Sequence, residues 1–394
     1  MDIRQALLWL VPVTLTHFLF LQQIPSLLAT STPTATNQLS AVAATCEAER
    51  TRRRRRTRGH LAAEIGGRRL TEGVIRGLSD KECLWHFRFT QTELLELPEL
   101  LELPPEIVTP SGYRFTRTEA FALTCARLRT PADLDDLASH YNRTSSAISE
   151  AVNWVVSFLD NTWGHLLDFD HTGLLSASNL SRYAKAIYRR GAPIRSVWGF
   201  IDCTLRAICR PSRFQRQAYN GHKKRHMLKF QAVMLPNGMF GHLFGPFEGR
   251  RNDNFLLHAS QLLEKCTQFA VQPDTDEHTP VERRYFQLYG DAAYGISPVL
   301  ISPFSGPGER SADEQAWNAA MGSIRVHVEH GFAIVSNTWP FLNANWKMHV
   351  FRSPVGRYYR VGVLLTNVMN CYRPNQVAQY FDCEPPVITE YLHH

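Results

Sequence analysis

The eight cysteines of this 394-residue chain (Cys46, Cys83, Cys125, Cys203, Cys209, Cys266, Cys371 and Cys383) include no Cys-x-x-Cys pair and no short repeated spacing. That scatter argues against a disulfide framework and suits reduced thiols inside a cell. Cys203, Cys209, His222 and His226 read C-x5-C-x12-H-x3-H, near a zinc-finger spacing. Against zinc, Cys203 lies in an apolar run and three basic residues separate the histidines. No internal repeat is present, which argues against solenoids and propellers. Long apolar runs are missing too: Ala6 to Leu21, interrupted by Pro12 and His17, is short for a membrane-spanning helix. The leading Met1-Asp2-Ile3-Arg4-Gln5 lacks the net positive charge that opens a signal peptide. Leu28-Ala29-Thr30-Ser31 loosely imitates a cleavage region, so secretion or anchoring stands as a rival reading.

What is present is a globular composition with tails. Hydrophobic residues make up 44% of the chain, enough for a sizeable core. Lys and Arg (43) exceed Asp and Glu (36) modestly, so charge matters through its placement. A Ser/Thr/Ala-rich spacer from Thr30 to Ala44 reads as disordered. It leads into Arg50-Thr51-Arg52-Arg53-Arg54-Arg55-Arg56-Thr57-Arg58, a block that suits nuclear import, a nucleic-acid arm or a solvated charge run.

Three stretches each carry one acidic residue in apolar or small surroundings. Ser196 to Thr204 reads as a buried strand with Asp202 at its carboxyl end, where α/β folds place ligands. Arg284 to Gly295 reads as a second strand delivering Asp291 into a glycine-flanked turn. Met321 to Phe332 holds Arg325 and Glu329 four apart, on one face of a helix. A lone aspartate at a strand end more often serves a turn or an N-cap. Together, three carboxylates suit hard divalent cations, two of which can clamp the attacking and leaving oxygens of a phosphodiester.

The wording around these carboxylates is specific. Phe200-Ile201-Asp202-Cys203-Thr204, Tyr219-Asn220-Gly221-His222-Lys223-Lys224-Arg225-His226, Gly249-Arg250-Arg251-Asn252-Asp253, Gly290-Asp291-Ala292-Ala293-Tyr294-Gly295-Ile296-Ser297-Pro298 and Arg325-Val326-His327-Val328-Glu329 follow in that order. Over about residues 196–372 the chain resembles the PIF/Harbinger superfamily of DDE transposases, the DDE Tnp4 endonuclease domain. The resemblance implies an α/β, RNase H-like mixed sheet flanked by helices. It implies Asp202, Asp291 and Glu329 as the catalytic, metal-binding triad for two Mg2+ or Mn2+ ions, with Asp253 a further acidic position. Cys203 stands where the family often has glycine, and Phe332-Ala333 where it has Phe-Gly. The family also implies DNA as substrate and, commonly, a separately encoded DNA-binding partner of Myb/SANT type; self-association and nuclear localisation complete the expectation, with no membrane.

The rest of the chain supplies a frame for that chemistry. Helical periodicity covers about Leu78 to Leu167, with a Thr90/Glu93 capping box, an end or restart at Pro98, and a Thr118–Leu128 helix burying Phe121, Cys125 and Leu128. Two short helices about Tyr141-Asn142-Arg143-Thr144 suit an all-α helix-turn-helix-like domain exposing Ser146, Ser149, Glu150 and Asn153; a plain packing hairpin fits the same spacing. A Ser-rich connector is expected over 174–182, then a helix over Tyr183 to Arg189, a hairpin about Pro236-Asn237-Gly238, and one helix from Asn252 through Cys266. The expected segments are 1–45, 46–78, 79–175, 176–382 and 383–394. Arg52, Arg53, Arg54, Arg55, Arg56, Lys223, Lys224, Arg225, Arg250 and Arg251 are the candidate DNA contacts, the latter five part of a cationic group expected around the triad. Salt bridging is the bland reading of those cations. The reading is a metal-dependent DNA nuclease or transposase; the alternative is a domesticated DNA-binding protein with little or no cleavage.

Overall fold

The computed structural model describes residues 67–394. The apolar run, the spacer and the arginine block, with Arg52 to Arg56, lie outside the described residues, as do the side chains of Val281, Glu282, His327, Val328 and Glu329. Helices α1 (Glu72–Arg76), α2 (Asp80–Phe87) and α3 (Gln91–Leu100) each begin where a Thr or Ser hydroxyl accepts a backbone N–H in the first turn. The Thr90/Glu93 capping box is formed in full. Pro98 sits inside α3 rather than ending it. Its missing N–H removes one bond, and Leu101 N–H closes on Leu97 O beyond it.

Strands β1 (Glu106–Val108) and β2 (Arg114–Thr116) follow as an antiparallel hairpin, with Ile107 opposite Phe115. The helical segment is therefore not all-α. Each strand reads exposed-buried-exposed, the period of a half-buried strand. Helix α4 (Arg117–Arg129) is buried on every side from Thr118 to Leu128, so it is the centre of this segment rather than a one-faced helix. Around it lie α5 (Leu134–Tyr141) and α6 (Ser145–Trp163), the latter capped by Thr144. Helix α7 (Ala177–Arg189) includes the expected helix and begins six residues earlier, inside the expected connector, because Leu180, Tyr183, Ala184 and Ile187 fall at helical spacing and are buried.

The sheet is built from β3 (Val197–Ala207), β4 (Tyr219–Asn220), β5 (Arg225–Met234) and β6 (Phe240–Glu248), then β7 (Gln287–Tyr289) and β8 (Leu300–Ile301). β3 pairs antiparallel with β5, and β5 with β4 and β6; β7 joins the other edge of β3 in parallel and β8 follows it. A mixed sheet results, antiparallel on one side of β3 and parallel on the other. Between its halves, α8 (Asp253–Ala259) and α9 (Leu262–Phe269) replace the single expected helix, because Gln261 adopts a left-handed φ of 53°.

Helix α10 (Ala312–Thr338) and helix α11 (Val355–Tyr372) cover one sheet face; α12 (Gln376–Phe381) and α13 (Ile388–Tyr391) close the chain. Phe332 packs on Phe240 and Tyr359 on Phe230, with ring centroids 5.6 and 4.7 Å apart. The helical segment joins the same core through α11. Asp160 of α6 meets Arg360 and Arg357, and Arg373 pairs with Glu93. Among the described residues no helix is long and apolar enough to cross a membrane.

Candidate functional site

Asp202 lies in the middle of β3, not at its end. The antiparallel pairing with β5 continues to Ala207 opposite Met227, whereas parallel β7 stops at Tyr289, opposite Phe200. Asp202 therefore sits just past the point where the parallel half of the sheet gives out. The chain leaves β7 through Gly290 and reaches Asp291 at that gap. A Cβ at position 290 would come within 2.7 Å of the Tyr294 ring and 3.1 Å of Ile201, so only glycine fits beneath the turn. Asp291 accepts a hydrogen bond from Ala293 N–H at 3.0 Å, which fixes an Asx turn.

Burial pushes the Asp202 carboxyl upward, and the negative charges of Asp291 and Asp253 add to it. Opposing them, Arg325 Nη2 lies 3.2 Å from Asp202 Oδ2, and Cys203 N–H donates to Oδ1 at 2.7 Å. Arg325 thus pairs with Asp202. Successive residues of β3 alternate faces, so Asp202, Thr204 and Arg206 all look towards α10 and α11. Arg206 donates to Ser336 Oγ at 2.6 Å and to the Tyr359 hydroxyl at 3.1 Å, and Thr204 bonds the Tyr359 hydroxyl too. Thr204 orients Tyr359 and no carboxylate.

Positions 325, 329, 332 and 336 share one stripe of α10 by helical spacing. Arg325, Phe332 and Ser336 each touch the sheet. Position 329 follows one turn beyond the partner of Asp202 along α10.

The other face of β3 carries different chemistry. Cys203 accepts from the Tyr294 hydroxyl at 3.3 Å, and burial pushes both groups up in pKa, keeping them neutral. Asp253 is on this side, ion-paired with buried Lys229 of β5. Its lysine partner and its face set it apart from Asp202, whose carboxyl still feels its charge. Cys209, by contrast, donates to Asn345 O at 3.0 Å, and His226 packs on Tyr219.

Positive charge is distributed differently from expectation. His222, Lys223, Lys224 and Arg225 are exposed at the tip between β4 and β5, and Arg213, Arg216 and Arg250 are exposed as well. None of these has an ion pair among the described residues. Arg225 stands seven residues along β5 from Ala232, the register partner of Asp202. At about 3.3 Å per residue the tip is roughly 23 Å from the carboxylate, a rim beyond the site rather than a ring around it. Arg251 is committed elsewhere: its Nε donates to Glu248 at 2.9 Å and its guanidinium lies 4.2 Å over the Phe255 ring.

The face of α6 expected to be free is partly used. Glu150 accepts from Thr109 Oγ1, Ser111 N and Ser111 Oγ at 2.8, 3.1 and 2.6 Å, tying down the β1–β2 turn. Asn153 accepts from the Tyr358 hydroxyl of α11. Ser146 alone of the four is exposed.

Among the described residues no three His, Cys, Asp or Glu side chains form a metal group. The two carboxylates that do converge, Asp202 and Asp291, offer hard oxygens, and the charge of one raises the proton affinity of the other. A divalent cation would relieve that repulsion, so the donor set fits one.

Residues 201–367, from mid-β3 into α11, match the family described as DDE superfamily endonuclease. No curated protein and no solved structure matches the chain.

Proposed function

We propose that this protein is a divalent-metal-dependent DNA endonuclease of DDE type, a transposase or transposase-derived nuclease of the PIF/Harbinger group. The observation that carries the reading is the meeting of Asp202 and Asp291 at the gap where β7 ends beside β3, within a segment matching DDE endonucleases. Asp202, Asp291 and Glu329 would hold Mg2+ or Mn2+, whose chemistry is to acidify an attacking water or 3′-hydroxyl and to stabilise the departing oxygen. Asp202 and Asp291 accept metal only when deprotonated. Arg325 offsets part of the burial that raises the Asp202 carboxyl and would reach a phosphate on the same side. The exposed Lys223, Lys224, Arg225 and Arg250 bind duplex phosphates away from the cut. A helix-turn-helix-like role for α5 and α6, a nuclear location, a Myb/SANT-like partner and self-association belong to the same proposal.

The Arg325–Asp202 pair favours a second reading, a domesticated DNA-binding protein whose first carboxylate is neutralised by arginine. Cleavage of plasmid and oligonucleotide DNA by purified protein in Mg2+, Mn2+ or EDTA, beside Asp291→Asn, separates the two. Metal-dependent nicking lost in the variant supports the nuclease. DNA binding without cleavage in any metal, unchanged when nuclear extract supplies partners, supports the second reading.

A further inference from the structure

Apolar surface gathers on one flank of the carboxylates, on the loop from Asp291 to α10. Ile296 is 75% exposed and Phe304 is 42% exposed. Ser302 Oγ donates to Gly295 O at 2.7 Å and ties the two stretches together. Exposed apolar residues scattered singly mean little. Here the backbone of Phe304 is clasped on both sides: its N–H donates to Asn318 Oδ1 at 2.9 Å and its carbonyl accepts from Asn318 Nδ2 at 3.0 Å. Arg310 Nε donates a second bond to that carbonyl at 2.8 Å. The ring is thereby held in place while remaining open to solvent.

Beneath it runs a ladder of aromatic edges back to the site. Phe304 meets Trp317 at 5.2 Å and 78°, and Trp317 meets Tyr289 at 5.8 Å and 63°. Tyr289 is the last residue of β7, two before Asp291, and Arg325, the partner of Asp202, acts on its hydroxyl. A rigid, half-exposed aromatic braced from below is what base stacking requires, since every base offers a π-face. Arg310, bonded to the Phe304 carbonyl, and Arg325, paired with Asp202, are the cations beside this face, and with the nuclease reading they make the occupant a nucleic acid rather than an apolar peptide.

We propose that Phe304, backed by Trp317, is a stacking platform for an unpaired base of the strand being cut. The platform rests on the nuclease reading and deepens it: the substrate is DNA locally unpaired beside the scissile phosphate. Phosphate contacts from the exposed cations hold the duplex, and the platform holds the splayed nucleotide. Ile296 borders the same face and would pack against the neighbouring sugar or base.

Binding in EDTA tests this without reference to cutting. The probes are fluorescein-labelled oligo(dT) and a labelled duplex of equal length, with wild type, Phe304→Ala, Phe304→Leu and Phe304→Trp, each checked by thermal unfolding. One base–aromatic stack contributes about 1–3 kcal/mol, so Ala and Leu should weaken oligo(dT) binding roughly 5- to 150-fold. Duplex binding should hold, and Trp should restore the single-strand affinity. Equal oligo(dT) affinity in wild type and Phe304→Leu overturns the platform, as does a Phe304-dependent self-association seen by sedimentation without DNA. A protein that binds no DNA overturns the nuclease reading and the platform with it. Cleavage that persists while Phe304→Leu binds oligo(dT) normally overturns the platform alone.

Discussion

Two aspartates of this protein, one buried and one partly buried, are each held by arginine, and their surroundings part company. Asp160, on α6, is 1% exposed in its side chain and lies between Arg360 Nε at 2.6 Å and Arg357 Nε at 3.5 Å. Arg360 also donates to Leu243 O at 3.0 Å, so this cluster joins the helical segment to the sheet. Asp202, 20% exposed, has one arginine and feels two further carboxylates, Asp291 and Asp253. The first arrangement gives one carboxylate two cations and fixes a joint. The second leaves negative charge in excess, which stability disfavours and cation binding can use.

Removing the carboxylates tests that contrast at its strongest. Asp202→Asn and Asp291→Asn should each lower metal-dependent cleavage by about 10³-fold or more, corresponding to loss of several kcal/mol of charge stabilisation, with the circular dichroism spectrum kept. A variant that cleaves like wild type would remove the assignment. Asp160→Ala should act on stability instead, costing about 3–5 kcal/mol because buried Arg360 and partly buried Arg357 lose their partner. Urea unfolding measures it, and a loss below about 1 kcal/mol would mean the cluster is no joint.

A subtler difference appears with pH. Because the folded-state pKa of Asp202 is raised, the native protein keeps that proton longer than the unfolded chain as pH rises. Its contribution favours folding at low pH, declines as pH climbs from the unfolded value through the native one, and is a fixed cost above it. Asp202→Asn should therefore melt higher than wild type at neutral pH, with the gap closing as pH falls below about 4. A gap that widens on acidification would contradict the burial argument.

The smallest effects belong to the rim. Replacing Lys223, Lys224 and Arg225 together by Ala should reduce the slope of log K against log salt by roughly 2.7, if each neutralises one phosphate. Arg251→Ala should leave that slope unchanged, since Arg251 is paired with Glu248 and stacked on Phe255. Equal losses from both variants would show that DNA binding does not distinguish free from committed cations.

Local signals made much of the frame legible. The Thr90/Glu93 box, the hairpin about Pro236-Asn237-Gly238 and the helix carrying Arg325 and Glu329 depend on residues close in sequence, and all are present. Boundaries that depend on packing were harder to read. Serines concealed the start of α7, whose buried stripe begins at Leu180, and Ile107 with Phe115 is too short a period to announce β1 and β2. The partners of charges were not legible at all. Nothing in Arg325-Val326-His327-Val328-Glu329 says that Arg325 reaches Asp202, 123 positions earlier, and nothing in Asn252-Asp253 says that Lys229 will claim Asp253.

The sequence by itself determined that carboxylates would arrive on an apolar strand, a glycine-flanked turn and a helix, because hydrophobic period, turn chemistry and capping are read from neighbours along the chain. Only the tertiary structure decided which of them face one another. β7 stops short beside β3, alternation turns Asp202 towards α10 and Cys203 away from it, and α10 brings Arg325 to Asp202. Those outcomes follow from strand register and helix packing, which are fixed by contacts between segments far apart in sequence.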